Sequence, residues 1–308
     1  MAGLGRILVT GGTGFIGDFA VRALVARGYD VAVAARTPVP TPGAELVAVD
    51  LLDQSAHRGL LEAVRPDTIL HLAWNVAPGR FWRSPDNLDW VAATVSLFRA
   101  FAEVGGRRFV GAGTCAEYDW TSVGPLDPAS TPIRPATFYG VAKAAVHDVL
   151  AGAADVTGVE VGWGRLFFLY GPGEKPGRLV SDVARSLLAG RPVDVGTGEE
   201  RRDFMHVADV AEAFVRLVEA EGGRTVNIAS GACPQMREIV STIARTIGRE
   251  ELVNWGARQP RPGEPPRIEA DVAALSEIGF RPRFTLEAGL ADTIDWWRGR
   301  SASDPGGA

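Results

Sequence analysis

The feature that most constrains this chain stands near its start. An apolar, β-branched run at residues 6–10 passes directly into Thr10, Gly11, Gly12, Thr13, Gly14, Phe15, Ile16 and Gly17, and a helical pattern follows over 14–27. Glycines at that spacing serve a tight turn from strand into helix. One bends the chain, one lets the backbone approach a pyrophosphate, and one lets the helix lie close to the strand. The helix that follows presents unpaired N–H groups and a partial positive charge to an anion. Strand, turn and helix in this order predict a dinucleotide site at Gly11, Thr13, Gly14, Phe15, Ile16 and Gly17, and they commit the chain to an α/β architecture.

The rest of the first half repeats the alternation. Runs at 31–34, 46–49, 68–72, 108–111 and 159–165 read as strands, and helical patterns fall at 88–104 and 138–153. Parallel neighbours need a crossover helix, so the expectation is a Rossmann-like, doubly wound parallel sheet covered on both faces. Beyond about residue 170 the pattern changes to GPGEKPGR, a helix at 179–188, a GTGEERRDF loop, a helix at 207–220, a strand at 225–229 and the proline-rich QPRPGEPPR. We assign residues 1–170, with a return segment near 203–230, to a dinucleotide-binding domain. Residues 171–202 and 231–300 are assigned to a smaller, interleaved C-terminal substrate lobe over the sheet's carboxyl edge, where open α/β sheets place their ligands, and 301–308 to a disordered tail.

Composition narrows the class. A chain of 308 residues, 46% of them hydrophobic, can bury a large core. Its formal charge of −5, with arginines scattered among acids, speaks against nucleic acid as a partner. Cys115 and Cys233 make no disulfide framework, and His57, His71, His147 and His206 are dispersed without ligand spacing, so no metal site is expected. No apolar run approaches the roughly 20 residues of a membrane span, and no basic segment precedes an apolar one; the expectation is a cytoplasmic protein without a membrane partner.

The end of the second strand bears on which dinucleotide is bound. An acid there bonds a ribose 2′-OH, whereas an arginine suits a 2′-phosphate. The run VAVAAR ends in Arg36, with no acid before Glu45, which favours NADP. Arg36 as one more solvated surface residue is the alternative, and it leaves NAD possible. Asp50 and Leu51, closing the third strand, are placed to meet an adenine edge; Asp50 reads equally well as a cap for the next helix.

Tyr139 and Lys143 lie four apart in a helical pattern and so share one face. A tyrosine with a pKa of about 10 is a poor acid/base at neutral pH, and a nearby ammonium is expected to favour its phenolate. Thr114 follows the run FVGAG and belongs at the sheet's carboxyl edge, where its hydroxyl can share the same substrate oxygen. Together the three residues read as an acid/base set for a carbonyl or carbinol carbon.

These residues carry a resemblance. The loop TGGTGFIG, HLAW at His71 to Trp74, GTCAEY at Gly113 to Tyr118, YGVAK, RLFFLYGPG and RRDFMHVADVAEAF resemble the extended short-chain dehydrogenase/reductase family, the NAD(P)-dependent epimerases, dehydratases and reductases of nucleotide sugars, over about residues 6–297. The resemblance implies Thr114, Tyr139 and Lys143 as the catalytic set, Lys143 also holding the nicotinamide ribose, with Leu72, Ala73 and Trp74 along the cofactor. It further implies a nucleotide-sugar substrate held by Arg178, Arg202 and Arg261. Guanidinium forks suit phosphate oxygens, although a surface ion pair is the plainer role for such an arginine. The helices at 88–104 and 138–153 are similar to the pair that forms a dimer interface in that family, which implies a homodimer.

Departures from the family narrow the reaction. Where its 4,6-dehydratases carry an Asp-Glu pair after the catalytic threonine, this chain has Cys115 and Ala116, which speaks against dehydration. Members that epimerise carbons beside a ketone carry a cysteine at the place of Ala116, so Cys115 is expected to be a small buried packing group. Hydride transfer at one carbon remains: NADPH-dependent reduction of a keto group, at C4, of a nucleotide-linked deoxysugar. A C4 epimerase with tightly bound NAD is the alternative, and a non-catalytic NAD(P) sensor is an alternative of another class. Phe168 stands where many relatives have a sugar-binding Asn, which implies a different sugar pose. Trp74, Phe81, Trp82, Trp90 and Trp120 sit around loops expected over the nicotinamide end, as a water-excluding wall or as packing, and His147 is expected to be structural.

Overall fold

The computed structural model describes residues 5–37, 39–259 and 265–303. In chain order the first half comprises β1 (Arg6–Thr10), α1 (Phe15–Ala26), β2 (Asp30–Ala35), β3 (Ala44–Ala48), α2 (Ala56–Val64), β4 (Thr68–His71), α3 (Asp86–Glu103), β5 (Arg108–Thr114), α4 (Phe138–Thr157) and β6 (Glu160–Leu166). The second half comprises β7 (Phe168–Tyr170), α5 (Leu179–Leu188), β8 (Val193–Asp194), β9 (Arg201–Arg202), β10 (Phe204–His206), α6 (Val207–Glu219), β11 (Thr225–Ile228), α7 (Met236–Ile247), β12 (Val253–Asn254), β13 (Arg267–Ile268), α8 (Ala273–Glu277) and α9 (Leu286–Ser303).

Seven strands form one sheet in the order β11-β6-β5-β4-β1-β2-β3, every neighbouring pair parallel. The winding direction reverses between β1 and β4, so a crevice opens at their carboxyl ends, beside Thr10 and His71, which are in register. Side chains alternate across a strand, and here both faces are covered. Ile7 and Val9 point to one core with α1 and α6, where Val21, Leu24, Phe214 and Leu217 pack. Leu8 points to the opposite core, built with α2, α3 and α4 from Leu61, Phe98, Phe101, Val146 and Leu150. This double burial is why the strands read as continuous apolar runs.

Helix α4 has a local logic of its own. Thr137 caps it, its hydroxyl accepting from the Gly140 N–H at 3.1 Å, and Gly158 ends it at φ 72° in the left-handed region. Tyr139, Lys143, Val146 and Leu150 are buried along one stripe. At Gly140 a Cβ would come within 2.2 Å of the Ala116 carbonyl oxygen, so only glycine lets α4 dock against the loop after β5. That docking delivers Tyr139 to Thr114.

A third core joins α5, α7 and α9 through Val180, Val183, Leu187, Ile239, Ile243, Leu290 and Ile294. The pairs β7–β10, β8–β12 and β9–β13 are short parallel ladders outside the main sheet. Between these elements the chain returns: α6 packs in the α1 core and β11 extends the main sheet beside β6. Helices α2, α7, α8 and α9 are not among those expected from the sequence. Because α9 is anchored on α5 and α7 by Leu290 and Ile294, it continues to Ser303, so residues 301–303 are helical where a tail was expected; 304–308 lie outside the described residues.

Candidate active site

The glycine loop closes the crevice from the β1 side. Gly11 has φ +69°, and a Cβ on it would lie 2.8 Å from the Ala73 nitrogen. On Gly17 a Cβ would lie 2.1 Å from the Gly11 carbonyl oxygen, which is how α1 comes to rest on the turn. The Gly14 N–H donates to Gly11 O at 2.9 Å, and no side chain caps the start of α1, leaving its first-turn amides for an anion. A dinucleotide pyrophosphate fits that cradle.

On the β4 side, Leu72, Ala73 and Trp74 follow a buried polar chain. The Thr10 hydroxyl meets His71 Nδ1 at 2.8 Å, and His71 Nε2 meets the Thr94 hydroxyl at 3.0 Å, which donates onward to Trp90 O at 2.7 Å. Because the Thr94 proton is committed, His71 must carry its own on Nε2. Burial, with the Lys143 charge as a second cause, pushes the His71 pKa down to about 3, so this histidine is a neutral strut. At the adenosine end Arg36 is exposed after β2. Asp50 accepts from the Leu52 N–H at 3.1 Å in a turn, while α2 begins only at Ala56, so Asp50 is a turn former and the helix-cap reading is corrected. Leu51 is buried in the core under α2.

The three residues read as an acid/base set come together. Thr114 ends β5, Tyr139 lies in the first turn of α4 and Lys143 one turn on, and all are buried, at 7%, 7% and 3% exposure. The Thr114 hydroxyl is near enough to the Tyr139 phenol to act on its titration. Lys143 Nζ donates to Ala112 O at 2.8 Å and lies 3.7 Å from the centre of the Trp74 ring. Phe81, Trp82 and Trp74 surround Tyr139 edge to face at centroid distances of 4.8, 5.8 and 6.4 Å. Trp120 extends this wall through Trp82, at 6.4 Å, whereas Trp90 stacks behind Trp74 at 6.0 Å.

One expectation is corrected here. Lys143 does not draw Tyr139 toward its phenolate: its ammonium is spent on the Ala112 carbonyl and the Trp74 face. Burial first, and the Glu117 carboxylate second, push the Tyr139 pKa up, with the Thr114 hydroxyl opposing. Tyr139 is therefore held as a protonated phenol, a donor. Burial brings Lys143 from 10.5 down to about 7, against the pull of Glu117.

Glu117 was not nominated from the sequence. It is fully buried behind Thr114, accepting from the Thr114 N–H at 2.8 Å and from Arg165 Nε at 2.7 Å, with Trp163 Nε1 at 3.2 Å from each oxygen. A readable signal existed: Thr114 and Glu117 form a capping box around the short turn after β5, and T-x-x-E is its signature.

The proposed substrate ligands divide. Arg178 stands before α5, donating to Val76 O at 3.2 Å and lying 5.4 Å from the Phe81 ring, close enough to act on Tyr139. Arg202 is buried, donating to Arg201 O and Pro265 O at 2.8 Å each, and lies 5.8 Å from the Phe168 ring. Arg261 lies outside the described residues. Cys115 is a buried packing group beside Tyr118, Leu126 and Phe167, its thiol pushed up to about 12 by burial above all. His147 bonds the Thr225 hydroxyl at 3.0 Å and packs on Trp163. Among the described residues no group of acids, cysteines and histidines could hold a metal ion, and no helix is long and apolar enough to cross a membrane.

Comparison with known proteins agrees with this geometry. Residues 7–229 match the model of the NAD dependent epimerase/dehydratase family. The UDP-glucose 4-epimerase of Mycolicibacterium smegmatis is 30% identical over 316 residues, covering 96% of this chain and 99% of its own. A dTDP-4-dehydro-6-deoxy-D-allose reductase from a Streptomyces species is 30% identical over 318 residues, covering 95% and 96%. In three dimensions the chain is similar to the Thermus thermophilus UDP-glucose 4-epimerase in complex with NAD, with a TM-score of 0.85, 29% identity and coverage of 96% and 99%.

Proposed function

The chain belongs to the NAD dependent epimerase/dehydratase family, and from that premise we propose that it is an NADPH-dependent reductase of a keto group, at C4, of a nucleotide-linked deoxysugar. The observation that carries this reading is Tyr139, kept protonated beside the Thr114 hydroxyl in an aromatic pocket, with no acid at positions 115 and 116 to serve a second carbon. The Streptomyces relative bears the name of such a reductase. Gly11, Thr13, Gly14, Phe15, Ile16 and Gly17 would hold a nicotinamide dinucleotide, which when bound would supply the hydride.

The chain's own residues do the rest. Tyr139 gives its hydroxyl proton to the carbonyl oxygen as negative charge develops there, and the Thr114 hydroxyl shares that oxygen and orients it. Lys143, with donors beyond its bond to Ala112 O, would hold the nicotinamide ribose. Phe81, Trp82 and Trp120 exclude water and favour an apolar substituent beside the reacting carbon. Arg178, Arg202 and Arg261 are assigned to the substrate's diphosphate, and Arg36, exposed and without a neighbouring acid on β2, supports a 2′-phosphate. Leu88, Val141, Val149 and Val156 are exposed on α3 and α4 and support a homodimer through those helices.

A C4 epimerase with tightly held NAD is the second reading, favoured by the epimerase relatives and by the NAD-bound neighbour. A non-catalytic sensor has no use for an assembled Thr114, Tyr139 and Lys143. Incubation with nucleotide 4-keto sugars separates the readings. A reductase oxidises NADPH stoichiometrically, whereas an epimerase purifies with bound dinucleotide and shows no net oxidation. Tyr139→Phe is expected to lower kcat by about 100-fold or more, and activity within about threefold of the parent would overturn the assignment.

A further inference from the structure

We propose that Glu117 is a positioning residue for Thr114, Tyr139 and Lys143, its buried carboxylate, paired with Arg165, fixing the backbone of Thr114 and placing a negative charge behind the three. The inference rests on the reading above, in which those three residues carry the chemistry.

The surroundings are built for a charged group. Thr114 N–H, Arg165 Nε and Trp163 Nε1 all converge on the carboxylate. Room is made by the strand itself: a Cβ on Gly113 would lie 2.4 Å from Glu117 Oε1 and 2.2 Å from Trp163 Nε1, and one on Gly111 would lie 2.3 Å from the Trp163 ring. Two glycines two apart clear one face of β5, at a cost to strand stability. The same turn receives α4 at Gly140, so the carboxylate that holds Thr114 also sets the seat of Tyr139.

A brace alone need not be ionic, since a buried ion pair is commonly no more stabilising than apolar packing of equal volume. The charge has a second use. It acts on both titrating members of the set, opposing the loss of the Lys143 proton and disfavouring the Tyr139 phenolate. Other groups face these sites too. Cys115 from the turn and Arg178 from before α5 act on Tyr139, neutral His71 from β4 lies near Lys143, and Arg165 from β6 and His147 from α4 face Glu117. Glu117 is the carboxylate common to Tyr139 and Lys143.

The chain contains two lysines, Lys143 and Lys175, which makes the charge directly readable. With lysine labelled at 13Cε and Lys175→Arg to assign the signals, the cofactor-free protein is titrated by NMR. The Lys143 resonance is expected to turn over at about 7 in the parent and to fall by roughly half a pH unit or more in Glu117→Gln. The alkaline limb of the kcat profile moves the same way, and kcat drops about tenfold while KM stays within about threefold. Glu117→Gln leaves Arg165 buried without its partner, so the double variant Glu117→Gln/Arg165→Gln, which removes both charges and gives up the Arg165 bonds to Tyr118 and Pro128, is expected to move the midpoint in the same direction by a smaller step. An unmoved Lys143 midpoint in either folded variant overturns the proposal, whether kcat falls (a brace only) or stays. Should the parent fail to oxidise NADPH and Tyr139→Phe change nothing, the functional reading fails, while the substrate-free titration still decides the role of Glu117.

Discussion

Replacing Lys143 by methionine is expected to stabilise the protein while abolishing turnover. Lys143 is 3% exposed, and its pKa falls from 10.5 to about 7 in the folded chain, chiefly by burial. At about 1.4 kcal/mol per pH unit, that fall corresponds to about 5 kcal/mol of lost folding free energy. Methionine forfeits a charge-assisted hydrogen bond to Ala112 O and the contact with the Trp74 face, together roughly 2–3 kcal/mol, so the net gain is about 2–3 kcal/mol. The pH dependence is the sharper signature. Below about 7 the lysine is protonated in both states and the parent bears the whole penalty. Between about 7 and 10.5 the unfolded chain binds the extra proton, so the parent gains stability as pH rises, closes the gap to the variant at about pH 9 and then becomes the more stable of the two. Urea unfolding of parent and variant at several values from pH 6 to 10 measures this difference, and titrations distant from the substitution cancel. A stability difference that does not vary with pH would refute the reasoning, because Lys143 would then hold the same proton folded and unfolded.

Three other outcomes are expected. Gly17→Ala places a methyl 2.1 Å from the Gly11 carbonyl oxygen, so α1 must back away from the turn; a loss of about 1–3 kcal/mol in urea unfolding and at least about tenfold weaker dinucleotide binding by fluorescence are expected. Arg36→Glu presents an acid to the ribose in place of a cation, and the kcat/KM ratio of NADPH to NADH is expected to fall by about tenfold or more in steady-state assays. Val149→Glu puts a charge on the exposed apolar surface of α4, and sedimentation velocity is expected to show a shift from dimer to monomer.

Much was legible in the sequence wherever the determinant is local. The turn from β1 into α1 follows from glycines whose steric need arises within a few residues, and the helical spacing of Tyr139 and Lys143 puts them on one face whatever surrounds them. The sheet's strands declared themselves because burial on both faces leaves continuous apolar runs. The aromatic wall is legible as a candidate, since loops at the carboxyl edge of a parallel sheet converge on one crevice, whereas the nearness of Arg178, expected only as a substrate ligand, to Tyr139 is not. Helices α7 and α9 escaped because their apolar faces make sense only against α5.

What only the tertiary structure decided is the protonation chemistry of the site. Sequence spacing suggested that the Lys143 ammonium would favour the Tyr139 phenolate. In the folded chain Lys143 is turned to Ala112 and Trp74, and Tyr139 is ringed by Trp74, Phe81 and Trp82 from the segment after β4. The carboxylate that governs both is paired with Arg165, 48 residues further along the chain. Which groups sit side by side along a helix is a property of covalent spacing. How far water is excluded from them, and which distant charge faces them, is a property of packing, and it is packing that sets whether a buried phenol keeps its proton.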